Sequence, residues 1–551
     1  LYAALTAPVR GLLRLVRHRS GQASRLVNRL SRLSRYGWDM VLWSHLLGRH
    51  RDAAPAEFPP ALLSDKGIAF QPPTLHVSGP PHETAAWGQG FAAVNAALLL
   101  NLQPPDVLSE IRYAHPAPAF RGVYLWDSAF TAQVWRHWDP QAALDVNRAV
   151  LALRDDDRLQ HVVADFVQSR YTQPPLLAWS LARCINDDPA PDRAALVRDY
   201  EALKAYRAWL MRCRRLPNGL FAWAHPYESG IDNSPRFSNR DESRLDDTRR
   251  LAAPDFSAYL VLQGEALAEL ADRLSLPRDA SLHRASASMV RDAVNEHLWS
   301  DDDGLYYDLD TASGELLRCR TIASLLPLWA GIPDVGRAGR MLEHIMDPRS
   351  FGTLTPLPSV ARDEPSFQKD MWRGPVWINV AFGVICGLKR YGYWEEAAEL
   401  AYRLCAGVYQ TFFNCRRVYE FYDPDRHDVE ELTRKRGNAW KRVTLGPKPV
   451  TEFVGWSGLV NTLLIEVLAG RESNAGELSF RPLLPPASAG RELNVSLPAD
   501  GLTISVQRLA DGQVRGVIRG GGEPEQFTLP LGEAYTPHSG SGGRVVLHDS
   551  A

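Results

Sequence analysis

From about residue 86 to 470 one stretch after another carries apolar residues at helical spacing, each closed off by a Gly, Pro or Asp turn. After Pro254-Asp255, with Asp255 placed to cap, Phe256, Tyr259, Leu260, Leu267, Leu270 and Leu274 fall on one helical face. Trp394, Ala397, Ala398, Ala401, Cys405 and Val408 do the same. An amphipathic helix must bury its stripe, and a short turn makes the next helix in the chain its partner. A run of about a dozen helices does not close easily into one bundle. Helical hairpins arranged in a ring bury every stripe and leave one end of the ring to carry loops. Periodicity alone would read alike for a solenoid.

The flanks differ from this middle. The tail changes period: Leu502, Ile504 and Val506 alternate, Asp511-Gly512 supplies a hairpin turn, and Val514, Phe527, Leu529 and Leu531 continue in short strands. Ahead of the helices, Arg10, Arg14, Arg17, Arg19, Arg25, Arg29, Arg32 and Arg35 recur among Leu12, Leu13, Val16, Leu26, Val27, Leu30 and Leu33. That is a basic amphipathic segment, expected to dock on the main domain, with peripheral membrane contact through residues 1–50 as the alternative. A connector rich in proline follows (Pro55, Pro59, Pro60, Pro72, Pro73, Pro80, Pro81). The expected division is a helical extension and connector over 1–85, a helical unit over 86–471 and a small β module over 472–551. A chain of 551 residues exceeds one ordinary core, which agrees with such a division.

Charge and cysteine usage narrow the partners. A formal net charge of −2 offers no global attraction to nucleic acid. The six cysteines are scattered without a CxxC pair, which argues against a disulfide scaffold or structural zinc and fits a reducing compartment, hence a cytoplasmic location. The chain begins with Leu1 rather than Met, which leaves room for a targeting segment upstream. No apolar run is long enough for a transmembrane helix. No phosphate loop, dinucleotide turn or metal-ligand spacing appears, so neither cofactor nor metal is expected. The sequence leaves the oligomeric state open.

Chemistry concentrates in five aromatic-plus-polar segments. The densest is Tyr227-Glu228-Ser229-Gly230-Ile231-Asp232-Asn233-Ser234-Pro235-Arg236, where Gly230 and Pro235 break regular structure. A carboxyl that must deliver a proton near neutral pH needs apolar walls and a neighbouring carboxylate, and Asp232 has both within reach. The other segments are Phe120 to Ser128, Thr172-Gln173-Pro174-Pro175, Asp370 to Trp377, and Tyr419 to Pro424 together with Gly455-Trp456-Ser457. Each has an ordinary structural account: Asp127 as an N-cap, Pro-Pro as a helix start, Trp-Arg as a surface stack.

Together and in this order, over roughly residues 115 to 465, the segments resemble inverting glycoside hydrolases with an (α/α)6 barrel. The resemblance is to glycoside hydrolase family 63, including mannosylglycerate and glucosylglycerate hydrolases and the processing α-glucosidases, with trehalases as near relatives. Phe120 to Asp127 and Glu228 to Arg236 are similar to trehalase segments as well. The middle block Trp372-Arg373-Gly374-Pro375-Val376-Trp377 has the family 63 form. The resemblance implies a mainly α fold, an (α/α)6 barrel with an N-terminal helical extension and a small C-terminal β module. It implies release of a terminal α-linked glucose or mannose from a small carbohydrate, with Asp232 as general acid and Glu420 as general base. It places Tyr124, Trp126, Asp127, Gln173, Asn233, Arg236, Trp372, Arg373, Gly374, Trp377, Tyr422 and Trp456 around the sugar, and Glu228 as the residue that orders the acid's loop.

One departure stands out. Family members often pass quickly from the base segment to Gly-Trp-Ser, whereas Asp425 to Thr451 here inserts a highly charged stretch. A solvated surface loop is the expectation. Its cluster Arg434, Lys435, Arg436, Lys441 and Arg442 also suits a grip on an acidic leaving group. A trehalase-like disaccharide hydrolase and a non-catalytic glycan-binding relative remain as alternatives. A sugar 2-epimerase would need paired histidines, which the motif segments lack.

Overall fold

The computed structural model describes residues 57–164, 168–237, 247–436 and 445–538. The amphipathic segment expected over 1–50 lies outside them, as do Lys441 and Arg442.

The helices are α1 (Pro81–Asn101), α2 (Leu125–Trp135), α3 (Pro140–Ala152), α4 (Leu177–Asn186), α5 (Arg193–Cys213), α6 (Pro254–Arg273) and α7 (Pro277–His297). Two 3-10 turns, Ile322–Ser324 and Leu326–Leu328, precede α8 (Val335–Met346). Then come α9 (Ile378–Arg390), α10 (Trp394–Cys415) and α11 (Leu459–Leu463), which runs on into a π-helical turn, Leu464–Leu468. Proline opens α1, α3, α6 and α7, where its missing N–H costs nothing. Asp139 caps α3 by accepting from the Ala142 N–H, and Asp192 caps α5 by accepting from Ala194 and Ala195. Asp255, expected as a cap, lies inside the first turn of α6, because Ala253 is the residue before the helix. Its carboxylate serves Arg236 instead.

Packing closes these helices into a circle. α2 packs on α4, α4 on α6, α6 on the Leu326–Leu328 turn, that turn on α9, α9 on α11, and α11 back on α2. The remaining helices form an outer layer, and the result is an (α/α)6 barrel. Burial separates the layers. Every residue of α2 is buried, whereas α7 buries only Ala280, Ala287, Val290 and Val294. The inner place between α6 and α9 holds short turns, since Pro327 removes a donor and Gly331 adopts a left-handed φ of 61°. Closure of the ring is what distinguishes this arrangement from a solenoid.

The C-terminal strands are β2 (Glu492–Leu497), β3 (Leu502–Arg508), β4 (Val514–Arg519) and β5 (Glu525–Leu529). Leu502, Ile504 and Val506 are buried along one strand as their alternation predicts, and Asp511-Gly512 makes the turn between β3 and β4, with Gly512 at φ 86°. A fifth strand comes from far upstream. β1 (Thr74–Val77) pairs antiparallel with β2, Thr74 opposite Ser496 and Val77 opposite Leu493, giving the order β1-β2-β3-β4-β5. The segment expected to be a connector therefore contributes an edge strand to the C-terminal module. Its four residues lie between Pro72-Pro73 and Pro80-Pro81, which masks the strand signal, and an edge position tolerates such neighbours. Arg471 joins module and barrel, pairing with Asp500 at 2.5 Å and with Asp187 at the end of α4 at 3.3 Å.

Candidate active site

The motif segments gather at the end of the barrel where the inner helices begin. Trp126 and Asp127 occupy the first turn of α2, Gln173 lies just ahead of α4, and Trp372 to Trp377 run into α9. Trp456 comes just before α11, Glu420 and Tyr422 follow α10, and Asp232 and Asn233 lie in the connection from α5 to α6. Their indoles form one buried cluster. Trp372 stacks on Trp377 with centroids 3.7 Å apart and planes at 7°; Trp126 lies 6.3 Å from Trp372 and 5.6 Å from Trp456, and Trp377 lies 5.4 Å from Trp456. Hydrogen bonds hold these rings. Trp456 Nε1 donates to the Glu420 carbonyl at 2.7 Å, Trp377 Nε1 donates to the Met371 carbonyl at 3.0 Å, and the Trp126 N–H donates to Gln173 Oε1 at 3.2 Å.

The Asp232 loop is clamped at both ends. Upstream, the one-turn helix Pro226–Ser229 ends on Gly230 at φ 72°, where a Cβ would collide with the Trp126 indole. Glu228 is wholly buried, and Arg214 grips it through Nε at 2.9 Å and Nη2 at 2.6 Å. It also accepts from the Ala224 N–H at 2.9 Å. Downstream, Arg236 is buried against Asp255 at 2.6 Å and Asp308 at 3.4 Å. Burial works against its charge, but the two carboxylates outweigh that and hold its pKa above the ordinary value. Between the clamps Asp232 and Asn233 are half-buried. Asn233 ties the loop across to α9's approach, accepting from the Trp372 N–H at 2.9 Å and donating to Asp370 Oδ2 at 3.2 Å.

Glu420 follows α10. It is buried, its N–H donates to the Val450 carbonyl at 3.0 Å, and its Oε2 accepts from the Val450 N–H at 3.3 Å. Asp127, buried in the first turn of α2, is pushed well above the usual carboxylate range, first by burial and also by the Asp232 charge. Asp127 and Asp232 therefore feel each other as like charges.

The charged insertion is not simply a solvated loop. Arg426 lies outside and spreads over Asp428, Glu430 and Glu431, as a surface run would. Six residues on, the chain turns inward: Leu432 and Arg434 are buried. Thr433 pairs in parallel with Asp370, accepting the Met371 N–H at 3.0 Å and donating its hydroxyl to Asp370 Oδ1 at 2.8 Å. Arg434 then forms an ion pair with Glu420, and Lys435 Nζ lies 2.8 Å from Asp232 Oδ2. Two consecutive cations take the two carboxylates. A net count over the insertion hides this, because the acidic residues cancel the basic ones only on its outer half.

Several candidate residues also have partners of their own. Arg236 is engaged with Asp255 and Asp308. The Tyr422 hydroxyl is buried and accepts from the Tyr419 N–H at 3.1 Å. Tyr124 packs with Val162 and Ala164. Gly374 donates its N–H to Ser359 Oγ at 3.0 Å, and Arg373 Nη1 donates to the Asn233 carbonyl at 3.5 Å. Asp370, which heads the Asp370 to Trp377 segment, also enters the site through Asn233 and Thr433. Arg434 and Lys435, whose basic cluster suited a grip on the leaving group, instead meet the two carboxylates.

A closed helical barrel with clustered tryptophans and two ion-paired carboxylates in the loops at one end is a glycoside hydrolase architecture. The chain belongs to the family described as the mannosylglycerate hydrolase MGH1-like glycoside hydrolase domain, whose profile matches residues 121–440. A mannosylglycerate hydrolase of Thermus thermophilus is 30% identical over 398 residues, which is 57% of this chain and 92% of that protein. Mannosylglycerate hydrolase MGH1 of Selaginella moellendorffii is 27% identical over 375 residues, 54% of this chain and 75% of the relative. Among solved structures, the family 63 mannosylglycerate hydrolase from Thermus thermophilus in complex with glucose superposes with a TM-score of 0.55 at 25% identity, covering 67% of this chain and 98% of that one. The enzyme is thus a glycoside hydrolase acting on carbohydrate. Among the described residues no helix is long and apolar enough to cross a membrane.

Proposed function

We propose that the enzyme removes a terminal α-linked mannose or glucose from a small acidic glycoside, of the mannosylglycerate or glucosylglycerate kind, with inversion. Asp232 protonates the departing oxygen and Glu420 draws a proton from the attacking water. The observation that carries this reading is the placement of Asp232 and Glu420 at one end of the barrel, each held by one of two adjacent cations. Adjacent Cα atoms are about 3.8 Å apart, so one short stretch of chain reaches both carboxylates. Inversion needs an opposed pair of carboxyls ~6.5–9.5 Å apart to admit water. The Arg434 guanidinium suits a group that must stay ionised to act as base. Trp126, Trp372, Trp377 and Trp456 supply the stacking floor for the sugar ring, and Asp127 and Gln173 supply polar contacts to it.

The acidic aglycone is favoured by the relatives' substrate and by Lys435 and Arg434, since a charge-assisted contact contributes ~1.5–3 kcal/mol. Proton NMR during the first minutes of hydrolysis of α-mannosylglycerate and α-glucosylglycerate tests both parts. The expected first product is the β anomer of the free sugar. An α anomer would mean retention and a different pairing of carboxylates. Turnover of neutral α-disaccharides in preference to both acidic glycosides would remove the acidic leaving group from the reading.

A further inference from the structure

Lys369 and Asp370, neighbours on the approach to α9, hold the acid's loop, the base segment and the insertion together. Lys369 Nζ lies 2.7 Å from Glu431 and 3.1 Å from Asp425 in the insertion, and 2.8 Å from Asp423, just after Glu420. Asp370 is buried and divides its oxygens between two segments. Oδ1 accepts from the Thr433 hydroxyl at 2.8 Å and from the Arg436 N–H at 3.0 Å, so it grips the insertion on both sides of Arg434 and Lys435. Oδ2 accepts at 3.2 Å from Nδ2 of Asn233, the residue next to Asp232. The Met371 N–H adds a bond to the Thr433 carbonyl at 3.0 Å, and Met371 holds a left-handed φ of 50° there. Strain of this kind persists only where surroundings over-determine it.

Among the described residues no cation pairs with Asp370, and burying a carboxylate on hydrogen bonds alone is costly. What the carboxylate offers over an amide of the same shape is an acceptor on each oxygen. Both sides need one. The Arg436 N–H can only donate. Asn233 is fixed the same way round, because its Oδ1 takes the Trp372 N–H at 2.9 Å and leaves Nδ2 to face Asp370. Asp370 thus joins the acid's loop to the insertion whose Arg434 and Lys435 meet Glu420 and Asp232.

We propose that Asp370 is a positioning residue: by joining these two segments it sets how the Asp232 and Glu420 carboxylates stand to the sugar and to each other. This rests on the acid and base assignment above. Its part is geometric, and Asp370 exchanges no proton in the reaction. A misplacement of about 1 Å can cost ~10²-fold in rate, so the join is read in kcat. Loss of an interaction that serves only the transition state lowers kcat and kcat/KM together and leaves KM near its parent value.

The test is a double-mutant cycle in the full chain, with kcat and KM measured per folded enzyme on the α-glycoside that the parent turns over fastest. Asp370→Asn must turn its NH2 toward either Asn233 or the Arg436 N–H, donor against donor, and one link breaks. Asn233→Asp breaks the join from the other side, by setting acceptor against acceptor. The two changes together exchange the groups and restore each bond: position 370 donates to position 233 and accepts from the Arg436 N–H, while position 233 still accepts from the Trp372 N–H. Each single change is expected to lower kcat by ~10–100-fold with KM within about threefold of the parent, and the exchange to recover about tenfold or more. Any contact of Asn233 with the sugar is altered equally in its single variant and in the exchange, so the cycle cancels it. An exchanged enzyme no faster than Asn233→Asp overturns the proposal, and that comparison holds even if Asp370→Asn fails to fold. Asp370→Asn with a lowered melting temperature and the parent's kcat overturns it too, leaving Asp370 a structural residue. If Asp232→Asn is inactive while the cycle shows no coupling, only the join falls. If Asp232→Asn keeps its turnover, the assignment beneath it falls as well.

Discussion

Asp232→Asn and Glu420→Gln are each expected to lower kcat by ~10²–10⁴, the range for loss of a positioned acid or base, with circular dichroism unchanged. Both substitutions keep size and hydrogen-bonding shape while removing the titratable proton. Neither residue anchors the fold. The Asp232 loop is held by Glu228 and Arg236, and Glu420's strand-like pairing with Val450 runs largely through backbone atoms. Glu420→Gln does leave the buried Arg434 without its carboxylate, so some loss of stability is expected there and less in Asp232→Asn. Retained turnover in Asp232→Asn would point to Asp127, the adjacent carboxyl with the raised pKa, as the proton donor. Retained turnover in Glu420→Gln would remove the base assignment altogether.

Arg236→Met is expected to destabilise the protein by ~3–5 kcal/mol, the usual consequence of breaking one partner out of a buried ion pair. Asp255 and Asp308 would both be left without their cation in a site where Arg236 is about 2% exposed. The resemblance placed Arg236 among sugar-binding residues, and this variant separates that role from a structural one. A sugar contact predicts a raised KM at unchanged melting temperature. A clamp predicts a fall in melting temperature, with activity lost because Asp232 lies four residues upstream on the same loop. Adding Asp255→Asn to Arg236→Met should recover part of the stability, since it removes one stranded charge. A melting temperature within a degree of the parent's would refute the clamp.

Much of the barrel was legible because its signal is local. Stripes such as Phe256, Tyr259 and Leu260 declare a helix whatever surrounds them; burying many stripes allows a ring or a solenoid, and the resemblance of the motif segments pointed to the ring. The Trp126, Trp372 and Trp456 segments were legible as a set because aromatic and carboxylate residues share loop-like surroundings. What escaped depends on distant partners. Nothing near Thr74–Val77 announces that Leu493–Ser496 will pair with it. Nothing in Arg236 tells that Asp308, far along the chain, will meet it. The insertion was misread for a related reason. Alternating charges describe its outer half well, yet the inward turn at Leu432 is set by parallel pairing with Asp370, which no local pattern encodes.

The pairing of β1 with β2 has a consequence for how the molecule is made. α1 follows β1 directly and lies against α10, and Asn461 of α11 donates to Phe91 and Asn95 of α1. The first and last members of the barrel are therefore neighbours, and the strand pair stitches their outer ends together. On the ribosome, β1 is synthesised hundreds of residues before its partner at 493–496 emerges. Until then the earliest strand waits with one edge unsatisfied. Contacts this remote in sequence are slow to form. The β1–β2 seam should thus be the last part of the fold to close, after the ring of helices, when the final module arrives.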